Sequence, residues 1–120
     1  MSPPVNLGPI FRLEGEVRVP GDKSISHRAL ILGALVRGLS YLGGLAPGED
    51  VAHTASCLEA CGVFMRIHGD GRAMVEGNGP EHALTAPAGR LDCGNSGSTM
   101  RMLAGAVAGH PITVCLEGDA

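Results

Sequence analysis

The chain has 120 residues, a net charge of −3 and 44% apolar residues. A chain of this length and apolar content can bury a core of its own, which excludes an intrinsically disordered protein. Three aromatic residues and a slightly acidic charge balance provide neither a base-stacking platform nor a basic surface, so we expect no nucleic-acid partner. The 19 glycines and 8 prolines predict many tight turns.

The apolar runs and the cysteines bear on location and on metal binding. The longest nearly apolar run, residues 29–36, is far shorter than the roughly 20 residues that a membrane helix needs. The N-terminus lacks the pattern of a secretory signal, so we expect a soluble, cytoplasmic protein without a membrane partner. Cys57 and Cys61 have helical spacing but no second pair of ligands, which favours small buried thiols over a metal site.

Hydrophobic periodicity predicts the first elements of the chain. Residues 13–19 alternate apolar and polar side chains, which is typical of a half-buried strand. The pattern becomes helical from Ser26, and Gly38 is expected to cap the end of that helix. A short strand is predicted at residues 39–42.

The middle of the chain predicts a second helix followed by a hairpin. The helix is expected to start near Asp50, a favourable N-cap residue, and to end at Gly62. Its apolar positions recur at helical spacing and predict a buried face, consisting of Val51, Ala55, Leu58 and Cys61. Residues 63–67 and 73–76 flank an Asp-Gly pair, which favours a two-residue hairpin turn.

The last third of the chain predicts a glycine-rich loop, a helix and a strand. The loop, residues 94–99, opens a third helix with Ser98 or Thr99 as its N-cap. Gly109 is expected to end that helix. A final strand is predicted at residues 112–116.

The order of these elements repeats. The features ending at Gly38 and Asp50 are echoed 71 and 69 residues later, at Gly109 and Asp119. Such spacing favours a strand–helix–strand–helix–strand–strand unit that is used more than once, although a chance echo in an α/β chain stays open as an alternative. The first unit is placed at about 13–77 and the start of the second at about 90–120.

Residues 21–28 (Gly-Asp-Lys-Ser-Ile-Ser-His-Arg) lie where a strand is expected to give way to a helix. A helix N-terminus presents free N–H groups and a partial positive charge, which favours an anion. Lys23 adds a point charge, and Arg28 adds a planar set of donors that suits phosphate or carboxylate. A solvated first turn capped by serine is the simpler alternative. The segment is not a nucleotide-binding P-loop, because Asp22 stands where that motif requires glycine.

The glycine-rich loop, residues 94–99 (Gly-Asn-Ser-Gly-Ser-Thr), opens its helix in the same way, and Arg101 follows in the first turn. Its two glycines permit a positive φ and the close approach of a ligand to the backbone. Taken alone, the loop is explained about as well by a plain connector. Two such loops in one small chain predict a site for a polyanionic small molecule.

The remaining polar residues carry weaker signals. None of the five histidines has the spacing of a metal-ligand pair, so each is expected at the surface and no metal is expected. Glu49 and Asp50 stand at a predicted helix start, where carboxylates interact favourably with the helix dipole.

Two segments closely resemble motifs of the 3-phosphoshikimate 1-carboxyvinyltransferase family. They are residues 19–32 (VPGDKSISHRALIL) and residues 91–105 (LDCGNSGSTMRMLAG). Asp50-Val51, at the predicted start of the second helix, also fits the pattern of that family. The resemblance extends over essentially the whole chain.

The resemblance implies an α/β fold of repeated βαβαββ units, arranged in two domains with the substrates in the cleft between them. It implies transfer of the enolpyruvyl group of phosphoenolpyruvate to the 5-hydroxyl of shikimate-3-phosphate, by addition and elimination through a tetrahedral intermediate. No metal or organic cofactor is implied, and the full-length enzymes of the family are expected to be monomers. Both substrates are anions, which gives the two loops a common purpose.

Positions within the two motifs imply the roles of individual residues. Lys23 would be catalytic and contact both substrates, and Ser24 and Arg28 would contact shikimate-3-phosphate. Gly97, with Asn95 nearby, is implied to line the phosphoenolpyruvate pocket, and Ser98 is implied to bind substrate. A methyl group on Gly97 would intrude where the ligand meets the backbone. Ser98 replaces the threonine that is usual in the family, a change that keeps the hydroxyl.

The resemblance also implies that this chain is a fragment. It ends at Ala120, before the next basic segment of the family and before the whole second domain, so we expect little or no activity from the chain alone. One alternative is a relative of the enolpyruvyl transferase that acts on UDP-N-acetylglucosamine, although its pattern places asparagine where this chain has Ser24. The others are a non-catalytic, truncated anion-binding remnant and a generic phosphate-binding module.

Overall fold

A computed structural model describes residues 2–119, which contain three helices and five strands. The helices are α1 (Lys23–Leu35), α2 (Glu49–Ala60) and α3 (Gly97–Ala108). The strands are β1 (Arg37–Leu42), β2 (Phe64–Ile67), β3 (Ala73–Asn78), β4 (Leu91–Asp92) and β5 (Leu116–Glu117). Across these residues, no helix has the length and apolar character needed to cross a membrane.

The three helices pack against one another around a shared core. Leu30, Leu58 and Leu103, one from each helix, are fully buried and belong to this core. The apolar face predicted for the second helix is confirmed, since all four of its residues are buried. Helix α1 also packs on the sheet, where a Cβ at Gly33 would lie 3.4 Å from the Cβ of Val75. A small residue at this position lets helix and sheet approach closely.

Strands β1, β3 and β2 form an antiparallel sheet in that order, with β3 in the centre. The β2–β3 hairpin is confirmed, but Ile67 pairs with Ala73, so residues 68–72 form the connection instead of a two-residue turn. Met65 pairs with Val75, and both side chains are buried. Because a one-residue slip would expose both side chains, burial sets the register and with it the length of the loop.

Helix α1 begins and ends earlier than predicted. It begins at Lys23, because the side chain of Asp22 caps it by accepting a hydrogen bond from the N–H of Ile25 at 2.8 Å. Its C-cap is Val36, and Gly38 lies within β1 with φ +109°. The lysine of the first motif is therefore part of the first helical turn, not of a loop before it.

The N-caps of α2 and α3 also differ from the prediction. Helix α2 is capped by Gly48, which leaves Asp50 inside the first turn. Helix α3 is capped by Ser96, not by Ser98 or Thr99, because the Ser96 hydroxyl accepts from the N–H of Thr99 at 3.1 Å. Asp50 and Thr99 are thus free to make contacts between helices.

The strand predicted at residues 13–19 is wrong. Its apolar side chains point into solvent, with Leu13 88%, Val17 84% and Val19 80% exposed. A strand needs a neighbour to satisfy its backbone N–H and C=O groups, and none of the strands within residues 2–119 pairs with this segment. The last strand is likewise shorter than predicted, since only Leu116–Glu117 pair with β4.

The four cysteines are free thiols that differ in accessibility. Cys57, Cys61 and Cys93 are buried, and burial raises the pKa of Cys57 to about 12. Cys115 is exposed. Since the thiolate is the reactive form, we expect only Cys115 to react rapidly with an aromatic disulfide reagent at neutral pH. Counting released thiolate before and after addition of urea checks this, and a second thiol reacting as fast as Cys115 would contradict it.

Candidate functional site

The N-termini of the three helices are joined through Asp50. Lys23, the first residue of α1, donates from Nζ to Oδ2 of Asp50 in α2 at 2.8 Å. Thr99, in the first turn of α3, donates from Oγ1 to the backbone carbonyl of Asp50 at 3.2 Å. The lysine–serine turn and the glycine-rich turn are far apart in the sequence. They are therefore brought together by Asp50, whose side chain bonds to the first turn and whose backbone carbonyl bonds to the second.

Three helix N-termini held this close make one end of the molecule favourable for anions. Each terminus carries free N–H groups and a partial positive charge. Lys23 adds a full charge on a side chain that is 55% exposed, while the Asp50 side chain is 29% exposed. The ammonium group is therefore held in place by one carboxylate and remains accessible from solvent.

Lys23 and His27 are one helical turn apart on α1 and face Asp50 and Thr54, one turn apart on α2. His27 is fully buried, so the prediction that every histidine lies at the surface is wrong for this residue. Its Nδ1 lies 2.6 Å from Oγ1 of Thr54, and burial lowers its pKa. Thr54 Oγ1 in turn lies 2.8 Å from Oγ1 of Thr99. A buried row of polar groups therefore continues inward from the Lys23–Asp50 pair.

The ion pair predicts how Asp50 titrates. The hydrogen bond from Lys23 lowers the pKa of Asp50 below its usual range. An acid with a depressed folded-state pKa adds stability above its unfolded-state pKa, and this contribution is lost as the pH falls through the folded-state pKa. We expect Lys23→Met to raise the pKa of Asp50 and to weaken that acid dependence. The pKa of Asp50 is measured from the chemical shift of its carboxyl carbon in an NMR pH titration. Asp70, which pairs with Arg72 at 2.6 Å, is the control and should titrate in the variant as it does in the unaltered chain.

Ser24 and Arg28 lie one turn apart on α1 and so share a face, as expected from their spacing. Arg28 borders a groove of about 340 Å³ between α1 and α3, together with Met102 and Gly105. Arg28 therefore lies on the side of α1 that faces α3, as an exposed residue at an otherwise apolar groove.

Gly97 is the first residue of α3, flanked by the exposed Asn95 and the half-buried Ser98. A Cβ on Gly97 would lie 3.0 Å from both terminal nitrogens of Arg101. The space that a methyl group would enter is therefore next to the guanidinium of Arg101.

His53 holds the beginning of the glycine-rich turn. Its Nδ1–H donates to the carbonyl of Asp92 at 3.2 Å, and its ring fills the space beside Gly94. A Cβ on Gly94, whose φ is +56°, would lie 2.4 Å from Nε2 of His53. Glycine is thus required here by both conformation and space.

Sequence reasoning found the two turns but missed the residues that join them: His27, Asp50 as an ion-pair partner, Thr54 and Thr99. One signal was present. A lysine in the first turn of a helix opposes the helix dipole, so a nearby carboxylate is favourable there. Asp50 was assigned to the helix cap, and its side chain instead compensates that lysine.

A larger cavity, of about 630 Å³, borders the first turns of α1 and α2, since Gly21 and Val51 are among the residues that line it. It is enclosed by α2, by the loop at residues 44–48 and by the β2–β3 connection, and none of the six predicted site residues lines it. Nor does any group of three or more His, Cys, Asp or Glu side chains within residues 2–119 come together to hold a metal ion.

Comparison with known proteins identifies the family. The EPSP synthase family model (3-phosphoshikimate 1-carboxyvinyltransferase) matches residues 7–120. Proteins named 3-phosphoshikimate 1-carboxyvinyltransferase are similar in sequence. The one from Bradyrhizobium sp. strain BTAi1 is 53% identical over 90% of this chain and 24% of its own length. The one from Synechococcus sp. strain RCC307 is 52% identical over 89% of this chain and 25% of its own length.

The fold leads to the same family. The EPSP synthase from Acinetobacter baumannii superposes with a TM-score of 0.82 and 37% sequence identity, over 88% of this chain and 24% of that chain. This confirms the α/β fold that the motifs implied. The chain spans about a quarter of the length of the curated relatives it matches. With matching motifs, a matching fold and a family match over nearly its whole length, the chain belongs to the EPSP synthase family.

Proposed function

We propose that this chain supplies part of the substrate site of a 3-phosphoshikimate 1-carboxyvinyltransferase, which transfers the enolpyruvyl group of phosphoenolpyruvate to shikimate-3-phosphate. The observation that carries the proposal is the double contact of Asp50, whose side chain holds Lys23 and whose carbonyl holds Thr99. It brings the two motif turns together at the end of the three helices that carries their free backbone N–H groups. Relatives named for this activity supply the identity of the substrates.

In this proposal Lys23 contacts both substrates. An ammonium group has three donors and no acceptor, so Lys23 can keep its bond to Asp50 and still donate to a phosphate or carboxylate oxygen. The bond to Asp50 favours one orientation of the lysine side chain before a substrate arrives. A positioned cation of this kind also stabilises negative charge that grows during the addition and elimination steps.

The other predicted residues divide between the two substrates. Ser24 and Arg28 share the face of α1 toward α3, where a hydroxyl and a guanidinium suit shikimate-3-phosphate. Asn95, Gly97 and Ser98 form the start of α3, where backbone N–H groups suit the carboxylate and phosphate of phosphoenolpyruvate.

Titration of the 120-residue chain with shikimate-3-phosphate tests the proposal. Lys23 is the only lysine in the sequence, so lysine labelled with carbon-13 gives a single side-chain signal to follow by NMR. We expect saturable binding, measured by calorimetry, and a matching shift of that signal. Sulfate at the same ionic strength and UDP-N-acetylglucosamine serve as controls. If sulfate produces the same shift with the same affinity, the chain is a generic anion binder and the proposal fails.

A further inference from the structure

In the buried polar row between the helices, the Thr99 hydroxyl has the most hydrogen-bond neighbours. Thr99 Oγ1 lies 2.7 Å from Ser96 Oγ, 2.8 Å from Thr54 Oγ1 and 3.2 Å from the carbonyl oxygen of Asp50. Thr54 Oγ1 lies 2.6 Å from Nδ1 of His27. Thr54, Thr99 and His27 are all fully buried, so water cannot complete or replace these bonds without entering the core.

The number of protons in this row fixes the direction of each bond. A hydroxyl donates one hydrogen bond and accepts up to two, and a carbonyl only accepts. Thr99 Oγ1 is placed to donate to the Asp50 carbonyl and to Ser96 Oγ, and its single proton can serve either oxygen only if Thr99 accepts from Thr54. Thr54 has then used its proton and must accept from His27, so Nδ1 of His27 carries the hydrogen.

The opposite direction, in which Thr54 donates to His27, costs hydrogen bonds at Nε2 of His27 and at the Asp50 carbonyl. If Thr54 donated to Nδ1 of His27, the ring hydrogen would sit on Nε2, which is buried and has no hydrogen-bond partner within residues 2–119. Thr99 would then have to donate to Thr54, and the Asp50 carbonyl would lose the side-chain bond that links α2 to α3. A buried N–H without an acceptor is rarer and more costly than an unused lone pair.

We propose that Thr99 is a positioning residue whose hydroxyl, oriented by the Nδ1–H tautomer of His27, fixes Asp50 and through it Lys23 relative to the glycine-rich turn. Burial lowers the pKa of His27, so its ring is neutral near neutral pH and has a definite tautomer. The benefit to substrate binding rests on the proposed function. The direction of the hydrogen bonds does not, because it follows from the unliganded chain alone.

Nitrogen-15 NMR of the histidine rings tests the direction of the row, since ring nitrogens with and without hydrogen have very different shifts. In the unaltered chain we expect His27 as the Nδ1–H tautomer. In Thr99→Val, Thr54 loses its acceptor and turns its proton to His27, which should change to the Nε2–H tautomer. Thr99→Ser keeps the hydroxyl and should keep the original tautomer. His110 is an internal control, because its Nδ1–H donates to the Ala106 carbonyl at 2.9 Å and none of the substitutions alters either residue.

A second control separates positioning from general loss of stability. Thr85→Val removes a hydroxyl that donates to the Cys61 carbonyl at 3.0 Å but does not touch the row. It should destabilise the chain and leave the His27 tautomer unchanged. In the shikimate-3-phosphate titration, Thr99→Val should weaken binding on the order of 3- to 10-fold, and Thr99→Ser should restore it.

Two results would overturn the proposal: the Nε2–H tautomer of His27 in the unaltered chain, or an unchanged tautomer in folded Thr99→Val. If Thr99→Val does not fold, the His27 tautomers of the unaltered chain and of Thr99→Ser still test the proposal. Since the NMR measurement needs no substrate, failure to bind shikimate-3-phosphate would refute the proposed function without affecting the bond directions. Binding of shikimate-3-phosphate by a chain in which His27 is the Nε2–H tautomer would refute the bond directions alone.

Discussion

Replacement of Lys23 by methionine is expected to lower the affinity for shikimate-3-phosphate on the order of 10- to 150-fold. This is the effect of losing one charge-assisted contact, roughly 1.5–3 kcal/mol. The fold should persist, because Lys23 is 55% exposed and its ion-pair partner, Asp50, is also in contact with solvent. Ion pairs of this kind contribute little to stability. Calorimetric titration measures the affinity, and urea denaturation of the same samples measures the stability.

Arg72→Met is the matched control for that experiment. It also removes one cation and breaks one ion pair, between Arg72 and Asp70 at 2.6 Å, but in the hairpin connection and not at the helix N-termini. Its affinity for shikimate-3-phosphate should equal that of the unaltered chain. Equal losses in Lys23→Met and Arg72→Met would mean that only net charge matters, and an unchanged affinity in Lys23→Met would place the lysine outside the site.

The sequence predicted the parts of the structure that are determined by residues close together in the chain. The second helix follows from apolar residues such as Val51 and Leu58 at helical spacing, which bury one face wherever the helix packs. The anion-favouring turns follow from glycine and small polar residues at helix starts, and both turns do open helices, capped by Asp22 and Ser96. Errors at these ends were a few residues, because several nearby side chains can cap the same helix.

The parts that could not be predicted depend on distant partners. Residues 13–19 have the alternation of a strand, but a strand exists only where another strand pairs with it, and local pattern does not contain that partner. His27 is buried because α2 places Thr54 against it, and Asp50 meets Lys23 because α1 and α2 align their first turns. Contacts between residues 27 positions apart have no signature in either segment taken alone.

Gly21→Ala is expected to destabilise the chain by roughly 1–3 kcal/mol, the usual cost of overpacking. A Cβ on Gly21 would lie 1.8 Å from the carbonyl oxygen of Gly44 and 3.1 Å from the backbone nitrogen of Ala46. Neither atom can turn away as a side chain could, so one backbone segment must move. The N–H of Ala46 also donates to the Ser26 hydroxyl at 2.8 Å, and moving the segment would strain that bond as well. The midpoint of urea denaturation measures the loss.

Gly43→Ala is the control, because Gly43 has no positive φ and a Cβ there would meet nothing within 4 Å. Its stability should be close to that of the unaltered chain. Gly21 lies two residues before Lys23, and the displaced segment leads into α2 and Asp50. Gly21→Ala should therefore also weaken shikimate-3-phosphate binding, whereas Gly43→Ala should not. Equal stability of the two variants would show that the close backbone contact does not fix the lysine–serine turn.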